Sequence, residues 1–387
     1  MNDAVIVSAV RTPIGTAFKG TLRDTSAAEL AQQVLRACVE RSGVEPSDID
    51  DVILAESLAG GGVIARHAAV AVGLAGVPGQ AVNRHCAGSL TALGNAAAAV
   101  RSGAADVVVA GGTESASTAP ALEWRVSGSS QPRVGMAPTF PHHDGATDDV
   151  TITVGWSTAQ ETGLSRREMD EWALRSHHRA VAAIDGGLFA DEVVPLSVTV
   201  DGGGAHFAQD EHPRRSTSLE KLSALQPVHP EIEGFSITAG NASGINDAAA
   251  TLVVVSGDYA REHGLQPLAT IRGWDAVGVE PHRTGMAAVE VIPKILGRAS
   301  LAVSDVALWE INEAFASVPL AAVRVHGIDE EAVNIHGSGC SLGHPIAASG
   351  ARMVTTLVHA LRRRGGGLGV AAMCAGGGMG GAVVLEV

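Results

Sequence analysis

The chain alternates short apolar runs with longer segments in which apolar residues recur at helical spacing. The longer segments predict helices over Asp24–Ser42, Ser165–Ile184 and Pro345–Arg364. The first two begin with a Ser-x-x-Glu capping box, and a proline suits the first position of the third. The short runs predict buried strands at Ala4–Val10, Asp51–Leu54, Asp106–Ala110, Leu252–Ser256, Asp305–Ile311 and Ala382–Val387. This alternation indicates an α/β fold with largely parallel sheets.

The two ends of the chain repeat one order of segments. Asp51–Leu54 is followed by Val82-Asn83, and about 250 residues later Asp305–Leu308 is followed by Val333-Asn334. This repetition predicts a duplicated α/β unit. Between the copies, over residues 118–243, Gly, Pro, His and Ser are frequent in Ser127–Asp148, and Asp201–Thr217 is a second loop-like stretch. Loops of this length predict an insertion over a functional site rather than a third copy.

Composition narrows the class of protein. A length of 387 residues suggests two or three domains, and 46% hydrophobic residues are enough for a full core. The net charge of −14, with only 5 Trp, 6 Phe and 1 Tyr, argues against nucleic-acid binding. Four cysteines make no disulfide framework, no basic leader opens the chain, and no apolar run reaches the length of a membrane span. We therefore expect a cytoplasmic protein that does not insert into a membrane.

Cys86 is the first candidate for chemistry. It lies in Asn83–Ser89 and precedes a predicted helix over Ala87–Val100. The positive end of a helix dipole stabilises a thiolate, which suits a nucleophile. The alternative is a small buried side chain, the interpretation we give to Cys38. His344, held between Gly343 and Pro345, is a suitable base for a thiol.

Two further segments carry candidate residues. Cys374 opens a glycine run, Gly376–Gly381, whose amides can approach a developing negative charge. The run matches G-x-G-x-x-G, but no helix follows it, so we do not read it as a dinucleotide site. Asn312 follows a predicted strand and is either a ligand-facing residue or a helix cap. His336, Cys340 and His344 share a spacing of four, but the intervening glycines argue against a helix and against a metal site.

Together these motifs resemble the thiolase family over essentially the whole chain. The resemblance rests on seven segments in the family's order: Val10–Gly15, Asn83–Ser89, Ala105–Ser117, Thr238–Gly244, Asn312–Ala316, Gly343–Pro345 and Cys374–Gly381. The family fold implies two similar α/β halves in αβαβα layers, with a loop domain inserted in the first. The implied bounds are 1–117 with 246–266 for the first half, 118–245 for the insertion, and 267–387 for the second half.

The resemblance implies a two-step acyl transfer from a 3-ketoacyl-CoA, as in the fatty-acid metabolism of the family. By similarity, Cys86 is the nucleophile, His344 its base and Cys374 the acid that protonates the departing acetyl-CoA enolate. Asn312, through a water and with His344, is expected to stabilise one oxyanion. The backbone amides of Cys86 and Gly376 are expected to stabilise the other.

Coenzyme A is the co-substrate that the resemblance implies, with no permanently bound cofactor and no metal. Arg214 matches a position near the nucleotide, although it can equally be a solvated loop charge. Ser243 and Ala239 match contacts of the pantetheine, and Phe315 matches an apolar wall. The family also forms dimers or tetramers, so a homodimer or homotetramer is expected.

Departures from the family pattern bear on the substrate. Short-chain members carry a His-Met pair where this chain has Val150 and Thr151 by register, so we expect a substrate bulkier than acetoacetyl-CoA or a branched one. The order Cys86-Ala87-Gly88-Ser89 and the presence of Cys340 are also unusual. Three alternatives stay open at this point: a condensing synthase of the same fold, a cysteine hydrolase, and a catalytically idle acyl-CoA-binding protein. The synthases generally lack a cysteine at the position of Cys374, and a hydrolase has no need of it.

Overall fold

The structure is a computed structural model that describes residues 3–135, 137–141 and 147–387. Its strands are β1 (Ala4–Arg11), β2 (Gly15–Thr16), β3 (Asp51–Ala55), β4 (Gly79–Val82), β5 (Val107–Glu114), β6 (Glu123–Trp124), β7 (Arg133–Val134), β8 (Leu196–Val200), β9 (Gly203–Phe207), β10 (Asn246–Ser256), β11 (Ala269–Gly278), β12 (Val306–Ile311), β13 (Leu368–Ala375) and β14 (Met379–Glu386).

Its helices are α1 (Ala27–Ser42), α2 (Ile64–Ala71), α3 (Gly88–Ser102), α4 (Ser157–Thr162), α5 (Arg166–Asp185), α6 (Leu219–Ser223), α7 (Gly257–Glu262), α8 (Met286–Ala299), α9 (Ser317–His326), α10 (Gly339–Leu342) and α11 (Ser349–Arg363). A π-helix, Thr151–Trp156, leads directly into α4. Both predicted capping boxes are confirmed: Ser26 with Glu29 opens α1, and Ser165 with Glu168 opens α5. In the described part of the chain, no helix has the length and apolar character to cross a membrane.

Ten of the described strands form one sheet in the order β12-β13-β14-β11-β1-β10-β5-β3-β4, with β2 paired to β10. The halves meet at the β1–β11 pair, which is short: Val5 lies opposite Thr270 and Ile6 opposite Ala269. The repeated segments occupy equivalent places. β3 pairs in parallel with β4, and β12 makes a parallel bridge from Trp309 to Val333. The residue bounds of the predicted domains stay a prediction.

The expected predominance of parallel pairing is wrong. Only β3–β4, β3–β5 and β12–β13 are parallel among the described strands of this sheet. β13 turns directly into β14 through a glycine turn, which forces antiparallel pairing. β10 enters the sheet from the inserted segment and runs antiparallel to both of its long neighbours, β1 and β5. The sheet is therefore mixed.

Helices pack in layers about the two halves of the sheet. α3 and α11 lie in the central layer, where they contact strands of both halves. α1 and α2 cover the other face of the first half, and α8 and α9 cover the second. Within β10, Leu252 packs in the central cluster and Val253 in the outer one, so both faces of the strand are buried. This explains its continuous apolar run.

Two local predictions need correction. The third predicted helix begins at Ser349 rather than at Pro345, because His344 forms a bridge with Ile245 and residues 346–348 form a turn before the helix begins. A one-turn helix, α10, forms between the glycines that were expected to break any helix.

Candidate active site

Six of the nine predicted site residues line one cavity of about 630 Å³. Each lies at the end of a secondary-structure element. The six are Cys86, just before α3; His344, before α11; Cys374, at the end of β13; Gly376, in the β13–β14 turn; Ser243, before β10; and Phe315, before α9. Because α3 and α11 are neighbours in the central layer, their preceding loops bring Cys86 and His344 to the same place.

Cys86 is half-buried in a tight turn. His85 has a left-handed φ of +43°, which is uncommon for a residue with a side chain, and Gly88 N–H donates to His85 O at 2.9 Å. Burial raises the pKa of the Cys86 thiol to about 11, although a hydrogen bond from the Gly376 backbone amide lowers it. The expected stabilisation of a thiolate by the helix is therefore outweighed by burial, and the resting group is a thiol.

His344 is buried and firmly oriented. Its backbone N–H donates to Asn246 Oδ1 at 3.0 Å, and Asn246 Nδ2 donates to Gly15 O at 3.0 Å. Its Nδ1 lies 2.6 Å from Ser349 Oγ, and that hydroxyl donates to Pro345 O at 2.8 Å. Since the hydroxyl proton is used there, Nδ1 carries the ring proton and Nε2 keeps its lone pair.

Electrostatics keep the imidazole neutral. Burial, followed by the charge of Arg352, lowers the pKa of His344 to about 4. Arg352 is itself buried and paired with Glu310, Nη1 to Oε2 at 3.0 Å. A neutral ring with a free Nε2 lone pair can accept a proton from a thiol.

Cys374 completes the group of three. It is buried at 2% exposure, and burial together with the neighbouring Cys86 raises the pKa of its thiol well above the usual range. A protonated thiol at the cavity can donate its proton to a stronger base, such as a carbanion. The following turn is fixed by Thr284, whose Oγ1 accepts from Gly378 N–H at 2.9 Å.

Asn312 contacts the site without lining the cavity. Its backbone N–H donates to Ala372 O at 3.0 Å, and its Nδ2 lies 3.4 and 3.5 Å from the two ring nitrogens of His344, at the outer limit of hydrogen bonding. Its Oδ1 is buried and has no partner among the residues described. The helix-cap alternative does not apply, because α9 begins only at Ser317.

The predicted coenzyme A residues divide into two sets. Ser243 and Phe315 line the cavity, and Ser243 N–H donates to Ala314 O at 2.9 Å. Ala239 and Arg214 are exposed and lie outside it. The backbone N–H of Arg214 donates to His177 Nδ1 at 3.1 Å, and within the described residues its guanidinium has no ion-pair partner.

Other residues of the motifs support the site from behind. Glu313 accepts hydrogen bonds from Trp172, Ser176, Asn334 and the backbone of Cys340. Cys340 is buried outside the cavity, and His336 packs edge-on against Phe189. The described part of the chain holds no group of three or more His, Cys, Asp or Glu side chains arranged for a metal ion.

Several residues in or near the cavity were not among the predicted site residues. His85 stood in the motif beside Cys86 but was given no role; its ring lines the cavity with Ser57 and Thr139. Glu114 is buried and accepts from the backbone N–H groups of Leu58 and Ala347, both at 3.2 Å. The adjacency of His85 to the cysteine was a usable signal, whereas Ser57 and Thr139 are distant in sequence.

The two positions tied to substrate size both lie on the cavity wall. Val150 immediately precedes the π-helix and Thr151 is its first residue, and both line the cavity. The Thr151 backbone N–H and hydroxyl both donate to Asp149 Oδ1, at 2.8 and 2.7 Å. The backbone is thus fixed where the wall is formed.

Comparison with known proteins agrees with this geometry. Residues 4–258 match the family model described as thiolase, N-terminal domain, and residues 265–387 match thiolase, C-terminal domain. The chain is 40% identical to an acetyl-CoA acetyltransferase of Escherichia coli (strain K12), covering 100% of this chain and 99% of the relative. It is 37% identical to a 3-ketoacyl-CoA thiolase of Bacillus subtilis (strain 168), covering 100% of both chains.

A solved structure shares the fold. The crystal structure of the Bacillus anthracis acetyl-CoA acetyltransferase superimposes with a TM-score of 0.91 at 38% sequence identity, covering 100% of this chain and 99% of that one. The α/β architecture of two similar halves with an inserted loop segment is thereby confirmed.

Proposed function

The chain belongs to the thiolase family of acyltransferases, and from this premise we propose that it cleaves a 3-ketoacyl-CoA with coenzyme A. The products are acetyl-CoA and an acyl-CoA shortened by two carbons, and the reverse condensation uses the same groups. One observation carries the proposal: Cys86, His344, Cys374 and the Gly376 backbone amide meet at a single cavity.

In the first step, Cys86 sulfur bonds to the 3-keto carbon while its proton passes to His344 Nε2. Because the resting pair is a thiol and a neutral imidazole, this transfer accompanies the attack rather than precedes it. The bond between carbons 2 and 3 then breaks, and its electron pair forms the acetyl-CoA enolate. Cys374 donates its thiol proton to carbon 2, and acetyl-CoA leaves.

In the second step, coenzyme A takes the acyl group. Its thiol proton passes to the Cys374 thiolate while its sulfur bonds to the acyl carbon. The Cys86–acyl bond breaks, and the proton held by His344 returns to Cys86. Every proton donated in the first step is thereby replaced, and the enzyme regains its resting state.

Two negative oxygens develop along this path, and two sets of donors are available. Gly376 N–H already donates to Cys86, so it points at the reacting centre, where the Cys86 amide joins it. Asn312 Nδ2 lies against the His344 ring, and we assign this pair to the other oxyanion. Fixed donors at such positions contribute about 2.7–4 kcal/mol each to transition-state stabilisation.

The substrate is proposed to be bulkier than acetoacetyl-CoA. Val150 and Thr151 replace the His-Met pair of short-chain members on the cavity wall, and the cavity of about 630 Å³ leaves room beyond the catalytic groups. The relatives bear names for both acetyl-CoA and 3-ketoacyl-CoA activities, so the wall residues carry this argument. Ser243, Ala239 and Phe315 are proposed to hold the pantetheine, with Arg214 near the phosphates.

The test is intact mass after mixing the reduced protein, without free coenzyme A, with linear and branched 3-ketoacyl-CoAs. We expect release of acetyl-CoA and an acyl adduct on Cys86, absent in Cys86→Ala and retained in Cys38→Ala. Cys38 is a matched control because its buried thiol donates a hydrogen bond to Thr251 O at 3.3 Å and does not line the cavity. An adduct only with acetoacetyl-CoA would refute the size assignment. Binding of acyl-CoA without any adduct would refute the acyl transfer and favour an idle binding protein.

A further inference from the structure

Three side chains on the cavity wall form a hydrogen-bonded row that the proposed mechanism does not use. His85 Nε2 lies 3.0 Å from Thr139 Oγ1, and His85 Nδ1 lies 3.5 Å from Ser57 Oγ. All three residues line the catalytic cavity, and His85 directly precedes the nucleophile. Burial lowers the pKa of His85, so its ring is neutral at physiological pH, with one N–H and one lone pair.

In either tautomer of His85, one hydroxyl proton of this row has no acceptor within the row. If Nε2 carries the ring proton, it donates to Thr139 and accepts from Ser57 at Nδ1, which leaves the Thr139 O–H unused. If Nδ1 carries it, the roles reverse and the Ser57 O–H is unused. Neither hydroxyl has a further partner among the described residues. In both tautomers the wall therefore presents a hydroxyl donor.

The row lies against the glycine turn that follows Cys374. A Cβ atom added to Gly376 would lie 3.7 Å from His85 Cδ2, and one added to Gly377 would lie 2.3 Å from Thr139 Cγ2. The row thus covers the glycine turn next to Cys86.

The neighbouring wall is largely apolar, with Leu58, Phe140 and Ile346 among its lining residues. An unbranched alkyl chain would cover the unused hydroxyl with carbon and accept no hydrogen bond from it. An acyl chain with an oxygen atom beside this hydroxyl would accept that hydrogen bond. Unpaired polar groups in a binding site are a strong source of discrimination.

We propose that the acyl part of the natural substrate carries an oxygen atom that accepts a hydrogen bond from the Ser57–His85–Thr139 row, an inference that rests on the proposed acyl transfer at Cys86. The oxygen belongs to an oxo, hydroxyl or carboxylate group beyond the carbon that becomes attached to the nucleophile. Arg133 also lines the cavity and has no ion-pair partner in the described part of the chain, so a carboxylate is within the same chemistry.

The experiment is an internal competition at Cys86. The full-length protein is mixed with equal amounts of 3-ketoheptanoyl-CoA, its 6-oxo derivative and 3-ketopimeloyl-CoA, and the three acyl adducts are separated by mass. We expect an oxygen-bearing adduct to exceed the alkyl adduct by about tenfold or more. A lead for 3-ketopimeloyl-CoA alone identifies a carboxylate, and a lead for both identifies a neutral oxygen acceptor.

Variants tie the preference to the row. By the same count, Thr139→Val alone leaves a donor at His85 Nε2 or at Ser57, so the test variant combines Ser57→Ala, His85→Gly and Thr139→Val and removes every side-chain donor of the row. The change at His85 is to glycine, because glycine tolerates the left-handed backbone at this position. The ratio of oxygen-bearing to alkyl adduct should then fall towards one, whereas Thr139→Ser, which keeps the hydroxyl, should retain the wild-type ratio. Thr199→Val, on the exposed face of β8 outside the cavity, is the matched control and should retain the wild-type ratio.

The outcomes separate the two levels of inference. Equal adducts, or an excess of the alkyl adduct in the wild type, would overturn the oxygen assignment while the proposed acyl transfer stands. A strong preference that survives the combined loss of all three side chains would overturn the role of the row. The absence of every adduct in folded, reduced protein would overturn the acyl transfer itself.

Discussion

Gly350 lies in the first turn of α11, where this helix contacts α3, and its replacement tests whether the two central helices set the geometry of the site. A Cβ atom at this position would lie 2.7 Å from Leu90 Cγ, 2.8 Å from Leu90 N and 2.9 Å from Ser89 Oγ. A backbone nitrogen cannot swing aside as a flexible side chain can. Gly350→Ala must therefore move one helix relative to the other.

The magnitude follows from two opposing effects. Overpacking of a core contact costs about 1–3 kcal/mol, and the higher helix propensity of alanine returns about 0.5–1 kcal/mol. We expect a net loss of about 1–2 kcal/mol, seen as a thermal midpoint lowered by about 1–4 °C for a chain of this length. Because α3 follows Cys86 and α11 follows His344, a shift approaching 1 Å should lower kcat/KM by up to about 10²-fold.

Gly297→Ala is the matched control. Gly297 also lies within a helix, α8, but a Cβ atom there would meet nothing within 4 Å. The same substitution should stabilise the protein by about 0.5–1 kcal/mol and leave the kinetics unchanged. Thermal melting and steady-state thiolysis measure both variants. Unchanged stability and activity in Gly350→Ala would refute the view that the α3–α11 contact fixes the site.

Three further predictions follow from the same contacts. The rate at which iodoacetamide alkylates Cys86 should rise about tenfold per pH unit from pH 7 to 10, because a pKa of about 11 leaves only about one thiol in 10⁴ ionised at pH 7. A rate that reaches a plateau below pH 8 would show a preformed thiolate and contradict this expectation. Cys374→Ser should lower kcat by about 10²-fold or more with little change in KM, since it replaces the acid; an effect on KM alone would contradict that role. Arg352→Met should destabilise by about 3–5 kcal/mol in urea unfolding, because it leaves the buried carboxyl of Glu310 without its ion-pair partner. The double variant with Glu310→Leu should recover most of the loss, and a failure to recover would contradict this cause.

Local signals in the sequence predicted local structure well. The capping boxes of α1 and α5 depend only on residues three apart, and both are formed. The beginning of α11 was misplaced because Asn246, almost a hundred residues earlier, holds the His344 backbone in an extended conformation. The strand directions were mispredicted for the same reason: the neighbours of β10 are set by tertiary contacts that no window of sequence contains.

The candidate site shows the same division. Cys86, His344 and Cys374 each stand within two residues of a glycine or proline at the end of an element, so their loops could be recognised one by one. Their convergence on one cavity required the duplicated fold. Ser57 and Thr139 carry no sequence signal, since a serine and a threonine in loops are ordinary, and only the folded chain brings them to His85.

The place of β10 between β1 and β5 has a consequence for synthesis of the protein. β1 and β5 are complete by residue 114, but the strand that joins them ends at Ser256, after the whole inserted segment. About two thirds of the chain must therefore leave the ribosome before β10 can pair with β1 and β5. During that interval two long apolar strands expose unpaired backbone to other chains. The nascent first half is thus the stage at which this protein depends most on protection from aggregation.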